Sequence, residues 1–192
     1  MISLSKGQKI DLTKTNPSLQ KLLIGLGWQK RATDGAPFDL DASALLLDSE
    51  GKALGETSFV FFRNPVSPDG AVKTHGDNLT GTGADGDAEK ITIDLSKVDA
   101  KVHSIQIQVT IHDAVARQQN FGQVNQTYVR FLDEETSEQT HKFDLAEDFS
   151  TETCVVLASV YRHDGGWKIN AVGQGYAIGL VGVLQAAGLA AE

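Results

Sequence analysis

The stretch Ile105-Gln106-Ile107-Gln108-Val109-Thr110-Ile111-His112 decides the fold of this chain. Apolar and polar side chains alternate strictly along it, as they do in a β-strand that buries one face and exposes the other to water. The pattern therefore predicts a strand over residues 104–112 whose apolar side belongs to the core.

Similar strand signals recur along the chain, with turn residues between them. They cover residues 22–28, 38–47, 58–62, 90–95, 127–132, 141–145, 153–162 and 167–173. Because no helical segments alternate with these strands, the sequence predicts a mainly β protein in which two sheets pack as a β-sandwich. The length of 192 residues suits a single domain over residues 1–192.

The most apolar segment, residues 176–191, lies at the C-terminus. It is shorter than the roughly 20 apolar residues that a transmembrane helix needs. It is predicted to be a core strand that runs into a short C-terminal helix docked on the domain. A helix that binds a partner is the alternative.

Composition excludes several classes of function. The net charge of −8 and pI of about 5.1 argue against a nucleic-acid partner. Cys154 is the single cysteine, which excludes an internal disulfide and a multi-cysteine zinc site, and it is expected to be a small buried apolar residue. The first residues are positively charged without an apolar run after them, so no secretory signal is expected and a cytoplasmic location is predicted.

One loop, residues 77–89, combines four carboxylates with several glycines just before a predicted strand. Its sequence is Asp77-Asn78-Leu79-Thr80-Gly81-Thr82-Gly83-Ala84-Asp85-Gly86-Asp87-Ala88-Glu89. Such a loop suits a hard cation, because Ca²⁺ takes roughly 6–8 oxygen ligands. The loop lacks the glycine and closing glutamate of an EF-hand, so its ligands are expected to come from separate loops.

Strand alternation suggests where these carboxylates point. If the chain is already extended there, Asp85, Asp87 and Glu89 share a side with the apolar residues of the strand that follows. Asp39 and Asp41 share a side with Leu45 and Leu47 in the same way. Both acidic sets are then expected at the mouth of the core, where partly buried anions must be paired, protonated or bound to metal.

Other chemistry finds less support in the sequence. Residues 81–86 match the G-x-G-x-x-G pattern, but the strand before it and the helix after it are missing, which disfavours nucleotide binding. A metal-dependent enzyme on phosphate esters would need a general base, for which His75 is the single nearby candidate. A structural protein that assembles through its apolar C-terminal segment is a third alternative.

Several ordered motifs resemble one known family, the tellurium-resistance TerD family. They are residues 25–28 (GLGW), 38–44 (FDLDASA), 59–64 (FVFFRN), 76–81 (GDNLTG), 85–89 (DGDAE), 120–122 (NFG) and 166–175 (GWKINAVGQG). The resemblance spans nearly the whole chain. It implies a β-sandwich of the cytoplasmic bacterial stress proteins that bind Ca²⁺ through acidic loops.

The resemblance also implies a set of metal ligands, with two adjacent calcium ions as cofactors. The positions are Asp39, Asp41, Asn64, Asp77, Asn78, Asp85, Asp87 and Glu89. The chain departs from the family pattern at Ala84 and Ala88, where a glycine and an aspartate are usual. This departure bears on calcium affinity more than on the existence of the site.

Together with the acidic loops, the resemblance implies a calcium-binding cytoplasmic stress-response protein associated with tellurite resistance. It is expected to act as a metal-ordered binding or scaffold module and not as an enzyme, because chemistry on soft tellurium would call on thiols and the chain has one. The expected partners are other stress-response proteins or a membrane-associated complex. Neither nucleic acid nor a transmembrane segment is expected.

Overall fold

The alternating segment forms an inner strand of a six-stranded sheet in the computed structural model, which describes residues 2–30, 38–75, 86–145 and 149–191. Within these residues the strands are β1 (Ile2–Leu4), β2 (Lys9–Asp11), β3 (Lys21–Lys30), β4 (Leu40–Leu47), β5 (Phe59–Val60), β6 (Val72–Thr74), β7 (Glu89–Asp94), β8 (Ser104–Ile111), β9 (Val124–Asp133), β10 (Gln139–Asp144), β11 (Cys154–His163) and β12 (Gly166–Tyr176). The α-helices are α1 (Leu12–Thr15), α2 (Ala114–Arg117) and α3 (Leu180–Ala186). None of the described helices is long and apolar enough to cross a membrane.

The strands form two sheets, so the prediction of a mainly β sandwich is confirmed. Sheet A has the order β1-β10-β9-β3-β7-β6, and sheet B has the order β2-β12-β11-β8-β4-β5. Neighbouring strands are antiparallel except for β1, which pairs with β10 in parallel. All nine predicted strands are present, with shifted ends. The three-residue strands β1, β2 and β6 were not predicted.

The main core lies between the two sheets. In β8, Ile105, Ile107 and Val109 are fully buried and Ile111 nearly so, which confirms the side predicted from alternation. β9 contributes Val129 and Phe131 from the opposite sheet in the same way. Burying an aliphatic or aromatic side chain of this size stabilises the fold by roughly 1.5–3 kcal/mol.

A second, smaller apolar cluster lies on the outer face of sheet B, beneath α3. Val183 and Ala187 pack there against Leu45, Leu47 and Cys154. The predicted C-terminal helix is therefore confirmed, as is the buried position of Cys154. Burial raises the pKa of its thiol to about 11, so the thiolate is scarce at neutral pH.

A hydrogen bond links the starts of β9 and β11, which belong to different sheets, at one end of the sandwich. Phe121, just before β9, donates its N–H to the carbonyl of Glu152, just before β11, and at the same end Ile111, the last residue of β8, donates to Thr153 within sheet B. Three residues after Phe121, β9 begins and pairs with the end of β3. We call this region the acidic end; it comprises the last residues of β3 and β8 and the first residues of β4, β7 and β9.

Candidate metal site

The predicted ligands fall into two groups. Asp39, Asp41, Asn64, Asp87 and Glu89 are among the described residues. The other three predicted ligands lie outside the described residues; they are Asp77, Asn78 and Asp85.

Asp39 lies at the acidic end, immediately before β4. Its backbone carbonyl accepts a hydrogen bond of 2.8 Å from the N–H of His112. Its side-chain Oδ1 is buried and has no hydrogen-bond partner among the residues that the structure describes. A buried carboxylate oxygen without a donor costs about 1–3 kcal/mol, more when it is charged. This oxygen therefore suits contact with a cation.

Asp41 lies two residues further along, within β4. It pairs with Thr110 of β8, and its Oδ2 is 3.8 Å from His112 Nδ1. As predicted, it shares a face of β4 with Leu45 and Leu47. That face is the outer one beneath α3, so the expectation that Asp41 points to the mouth of the main core is wrong.

The physical reason is that β4 is apolar on both faces. Leu40, Ala42 and Leu46 face the main core, while Leu45 and Leu47 face α3. A strand buried on both sides does not reveal from its sequence which apolar set meets the opposite sheet.

Glu89 is the first residue of β7 and pairs with Leu26 of β3. It is buried and alternates in step with Ile91 and Ile93, which are fully buried in the main core. Its predicted inward face is therefore confirmed.

Asp87 points to the opposite face. Its fully buried carboxylate accepts two hydrogen bonds from Arg130, from Nε to Oδ1 at 2.7 Å and from Nη2 to Oδ2 at 2.8 Å. Arg130 and Tyr128 lie on the outer face of β9, since they alternate with core residues Val129 and Phe131. The expectation that Asp87 shares a side with Glu89 is wrong because β7 begins only at Glu89.

Tyr128 adds a third contact to Asp87. Its hydroxyl lies 3.1 Å from Asp87 Oδ1 and donates to the carbonyl of Gly86 at 2.7 Å. Burial, followed by the negative charge of Asp87, raises the pKa of Tyr128 to about 12. The phenol therefore remains a hydrogen-bond donor at neutral pH.

Two glycines of β3 make room for this arrangement. A Cβ at Gly25 would overlap the Asp87 carboxylate, and a Cβ at Gly27 would overlap the ring of Tyr128. Sequence reasoning missed Arg130 and Tyr128. Two alternating pairs could have indicated the contact: small residues at 25 and 27, and large polar residues at 128 and 130. The two pairs lie on strands that are neighbours in sheet A.

Asn64 closes a turn at the edge of sheet B. Its Nδ2 donates to the carbonyls of Phe59 at 2.7 Å and Thr57 at 3.2 Å, while its backbone N–H and carbonyl both bond to Phe61. These contacts give Asn64 a structural role in the turn that follows β5.

His75, the candidate general base, lies at the end of β6. Its Nε2 is 2.8 Å from Thr92 Oγ1. Burial, followed by the positive charge of Lys73, lowers the pKa of His75, which favours the neutral ring.

The described residues do not assemble a complete metal site by themselves. Among them, no three carboxylate, imidazole or thiol side chains are grouped closely enough to hold a metal ion. Asp39 fits a cation, because of its unpartnered oxygen. Asp87 does not, because both of its oxygens are already bonded to a guanidinium.

Known proteins resemble this chain over most of its length. Residues 1–186 match the TerD domain. The chain is 53% identical to the uncharacterized protein YceE of Bacillus subtilis, over 98% of each chain. It is 49% identical to general stress protein 16U of Bacillus subtilis, over 98% of this chain and 97% of that protein. It is also 49% identical to tellurium resistance protein TerD of Serratia marcescens, over 100% and 99%.

Solved structures share the fold. A TerD homologue from Streptomyces coelicolor, SCO6318, superposes with a TM-score of 0.66 at 21% identity, covering 85% of this chain and 94% of that one. The protein of unknown function SAV2460 superposes with a TM-score of 0.71 at 21% identity, covering 90% and 99%. Two of these relatives are named as a general stress protein and a tellurium resistance protein, and neither name describes an enzyme. From its sequence relatives and its domain match, the chain belongs to the TerD family of tellurium-resistance and general stress-response proteins.

Proposed function

We propose that this chain is a calcium-binding, non-enzymatic stress-response protein associated with tellurite resistance, and that it acts in the cytoplasm. Ca²⁺ binds at the acidic end and orders it, and the ordered surface then binds a protein partner. The partner is another stress-response protein or a membrane-associated complex. The protein is thus a metal-ordered binding or scaffold module.

The observation that carries the proposal is the buried, unpartnered Oδ1 of Asp39 at the acidic end. A buried carboxylate oxygen without a donor gains more from a cation than a solvated oxygen does, because it has little hydration to lose. Asp41 lies two residues further along the chain, within β4, and adds a second carboxylate at the acidic end. The remaining ligands of two ions come from Glu89, Asp77, Asn78 and Asp85.

The choice of Ca²⁺ follows from the donor atoms. Carboxylate and amide oxygens suit hard cations, whereas soft metals and tellurium call for thiols. The one thiol, Cys154, is buried beneath α3 with its pKa raised to about 11. This position supports a role in stress tolerance that does not involve reduction of tellurite by the chain itself.

The test is thermal unfolding of chelator-stripped protein during titration with Ca²⁺ and, separately, with Mg²⁺. At 100 times the Kd, a ligand stabilises the native state by about 2.7 kcal/mol, which raises the Tm of a chain this long by roughly 5–11 °C. Mg²⁺ should raise it less, because it demands octahedral geometry and gives up its water reluctantly.

Asp39→Asn should lose most of the calcium-dependent rise. Asp164→Asn is the matched control, because it makes the same chemical change at an exposed residue in the β11–β12 turn. Asp164 has φ of 49°, a conformation that asparagine tolerates. The proposal would be contradicted if Ca²⁺ left the Tm of the wild-type protein unchanged, or if Ca²⁺ raised the Tm of Asp39→Asn as much as that of wild type.

A further inference from the structure

We infer that Asp87 is not a calcium ligand but the anchor that attaches residues 86–89 to sheet A. Its binding pocket, which we call the Asp87 socket, consists of Gly25, Gly27, Tyr128 and Arg130. The part of this inference that concerns calcium rests on the proposed function. The part that concerns the anchor does not.

The contacts of Asp87 are those of a structural ion pair. Arg130 approaches both carboxylate oxygens in the bidentate geometry that makes such pairs short and specific. The Asp87 side chain is fully buried, and that of Arg130 is 20% exposed. For Ca²⁺ to bind Asp87 it would have to sit against a guanidinium that already neutralises the carboxylate, and two cations sharing one buried anion repel each other.

The socket is shaped for the carboxylate by the sheet itself. Gly25 and Gly27 lack the Cβ atoms that would fill the positions of the Asp87 carboxylate and the Tyr128 ring. Gly25 pairs with Arg130 directly across the ladder between β3 and β9. The outer face of sheet A therefore provides a recess and places both hydrogen-bond donors on the strand beside it.

The contacts fix a continuous piece of backbone. The carbonyl of Gly86 accepts from Tyr128, the Asp87 side chain bonds to Arg130, and the N–H of Ala88 donates to the carbonyl of Leu26 at 2.7 Å. Glu89 then begins β7. Four successive residues, 86–89, are thus attached to sheet A by protein groups.

This attachment explains why Asp87 and Glu89 point to opposite faces of sheet A. Once Asp87 is held on the outer face, Glu89 enters β7 with its side chain in step with the core residues Ile91 and Ile93. Asp87, Arg130 and Tyr128 are therefore positioning residues. They set the point and direction at which residues 86–89 meet sheet A.

The experiment compares Asp87→Asn, Arg130→Gln and the double variant, with Kd for Ca²⁺ measured by calorimetry and unfolding midpoints measured in urea with chelator. If Asp87 is an anchor, both single variants should weaken Ca²⁺ binding by roughly 10- to 100-fold, the usual effect of losing a residue that orients metal ligands without binding the metal. The double variant should bind no more weakly than either single variant. Both single variants should also unfold at lower urea concentrations than wild type in chelator.

If Asp87 is instead a calcium ligand, the change in Ca²⁺ affinity of Arg130→Gln should have the opposite sign. If Asp87 binds Ca²⁺ in competition with Arg130, Arg130→Gln frees the carboxylate and tightens Ca²⁺ binding while Asp87→Asn weakens it. That result would overturn the inference. Should Arg130→Gln not fold, Tyr128→Phe removes one hydrogen-bond donor from Asp87 and keeps the ring over Gly27. An anchor then predicts weaker Ca²⁺ binding than wild type, and binding as tight as wild type or tighter would overturn the inference.

Failure of the proposed function is distinguishable from failure of the anchor. If wild-type protein binds no Ca²⁺, the unfolding midpoints in chelator still test the Asp87 socket. Equal losses in the two single variants and the double variant then support the anchor, since residues that act as a pair are not additive. Unchanged midpoints in both single variants would reject it.

Discussion

Gly25 lies directly beneath the carboxylate of Asp87, so that a Cβ at this position would occupy the space of the carboxylate oxygens. The glycine is needed here for close approach. Neighbouring β3 residues Ile24 and Leu26 are fully buried on the other face, so the strand has no freedom to move away. The outer face of sheet A is therefore packed at this point as tightly as a core.

Gly25→Ala should destabilise the protein by about 1–3 kcal/mol, the usual cost of adding an atom to a packed region. The measurement is urea unfolding in chelator. The control is the same substitution in an Asp87→Ala background, where the obstructing carboxylate is absent. We expect the cost of Gly25→Ala to shrink there, and an equal cost in both backgrounds would show that Asp87 is not what the Cβ meets.

Tyr128 gives a prediction about alkaline pH. Its pKa is raised to about 12 by burial and by the charge of Asp87, whereas a tyrosine in the unfolded chain ionises near pH 10. Between these values the folded protein holds a proton that the unfolded chain has lost. The contribution of Tyr128 is therefore complete below about pH 10, and stability falls as the pH rises from about 10 to 12.

The measurement is the urea midpoint of wild type and Tyr128→Phe at several alkaline pH values, with phenolate absorbance recorded in parallel. Wild type should lose more stability over this window than Tyr128→Phe does. The variant should also lack the ionisation at the highest pH. Burial also raises the pKa of Tyr176, so Tyr176→Phe measures how much of the alkaline loss comes from a tyrosine that does not contact Asp87. Identical pH profiles for wild type and Tyr128→Phe would refute the assignment.

The sequence predicted the long strands because alternation over eight or more residues is a strong signal, as in β8. It missed β1, β2 and β6, whose three residues are too few for a period to be recognised and which pair at or near the sheet edges. The helix α3 was predicted from a continuous apolar segment. Its effect on β4, the burial of the strand's outer face, could not be read from either segment alone.

The candidate site was predictable in composition but not in geometry. Asp39 and Glu89 were identified from local sequence, and each lies at the acidic end. Arg130, the partner of Asp87, was not identified, because it is 43 residues away in the chain and lies within a strand that carries no special motif. A salt bridge between distant strands leaves no local pattern, and parity fails where the residues ahead of a strand are not yet part of it, as at Asp87 before β7.

A substitution at Asn64 distinguishes a turn-forming role of this residue from a metal-binding role. Asn64→Ala removes the hydrogen bonds from Nδ2 to the carbonyls of Phe59 and Thr57, and at about 0.5–1.5 kcal/mol for each bond the protein should lose roughly 1–3 kcal/mol of stability. The Kd for Ca²⁺ of the folded variant, measured by calorimetry beside that of Asp39→Asn, should stay close to the wild-type value. A residue needed for the turn must affect stability whether or not the ion is bound. If Asn64→Ala instead loses as much calcium affinity as Asp39→Asn while its stability in chelator is unchanged, Asn64 is a ligand.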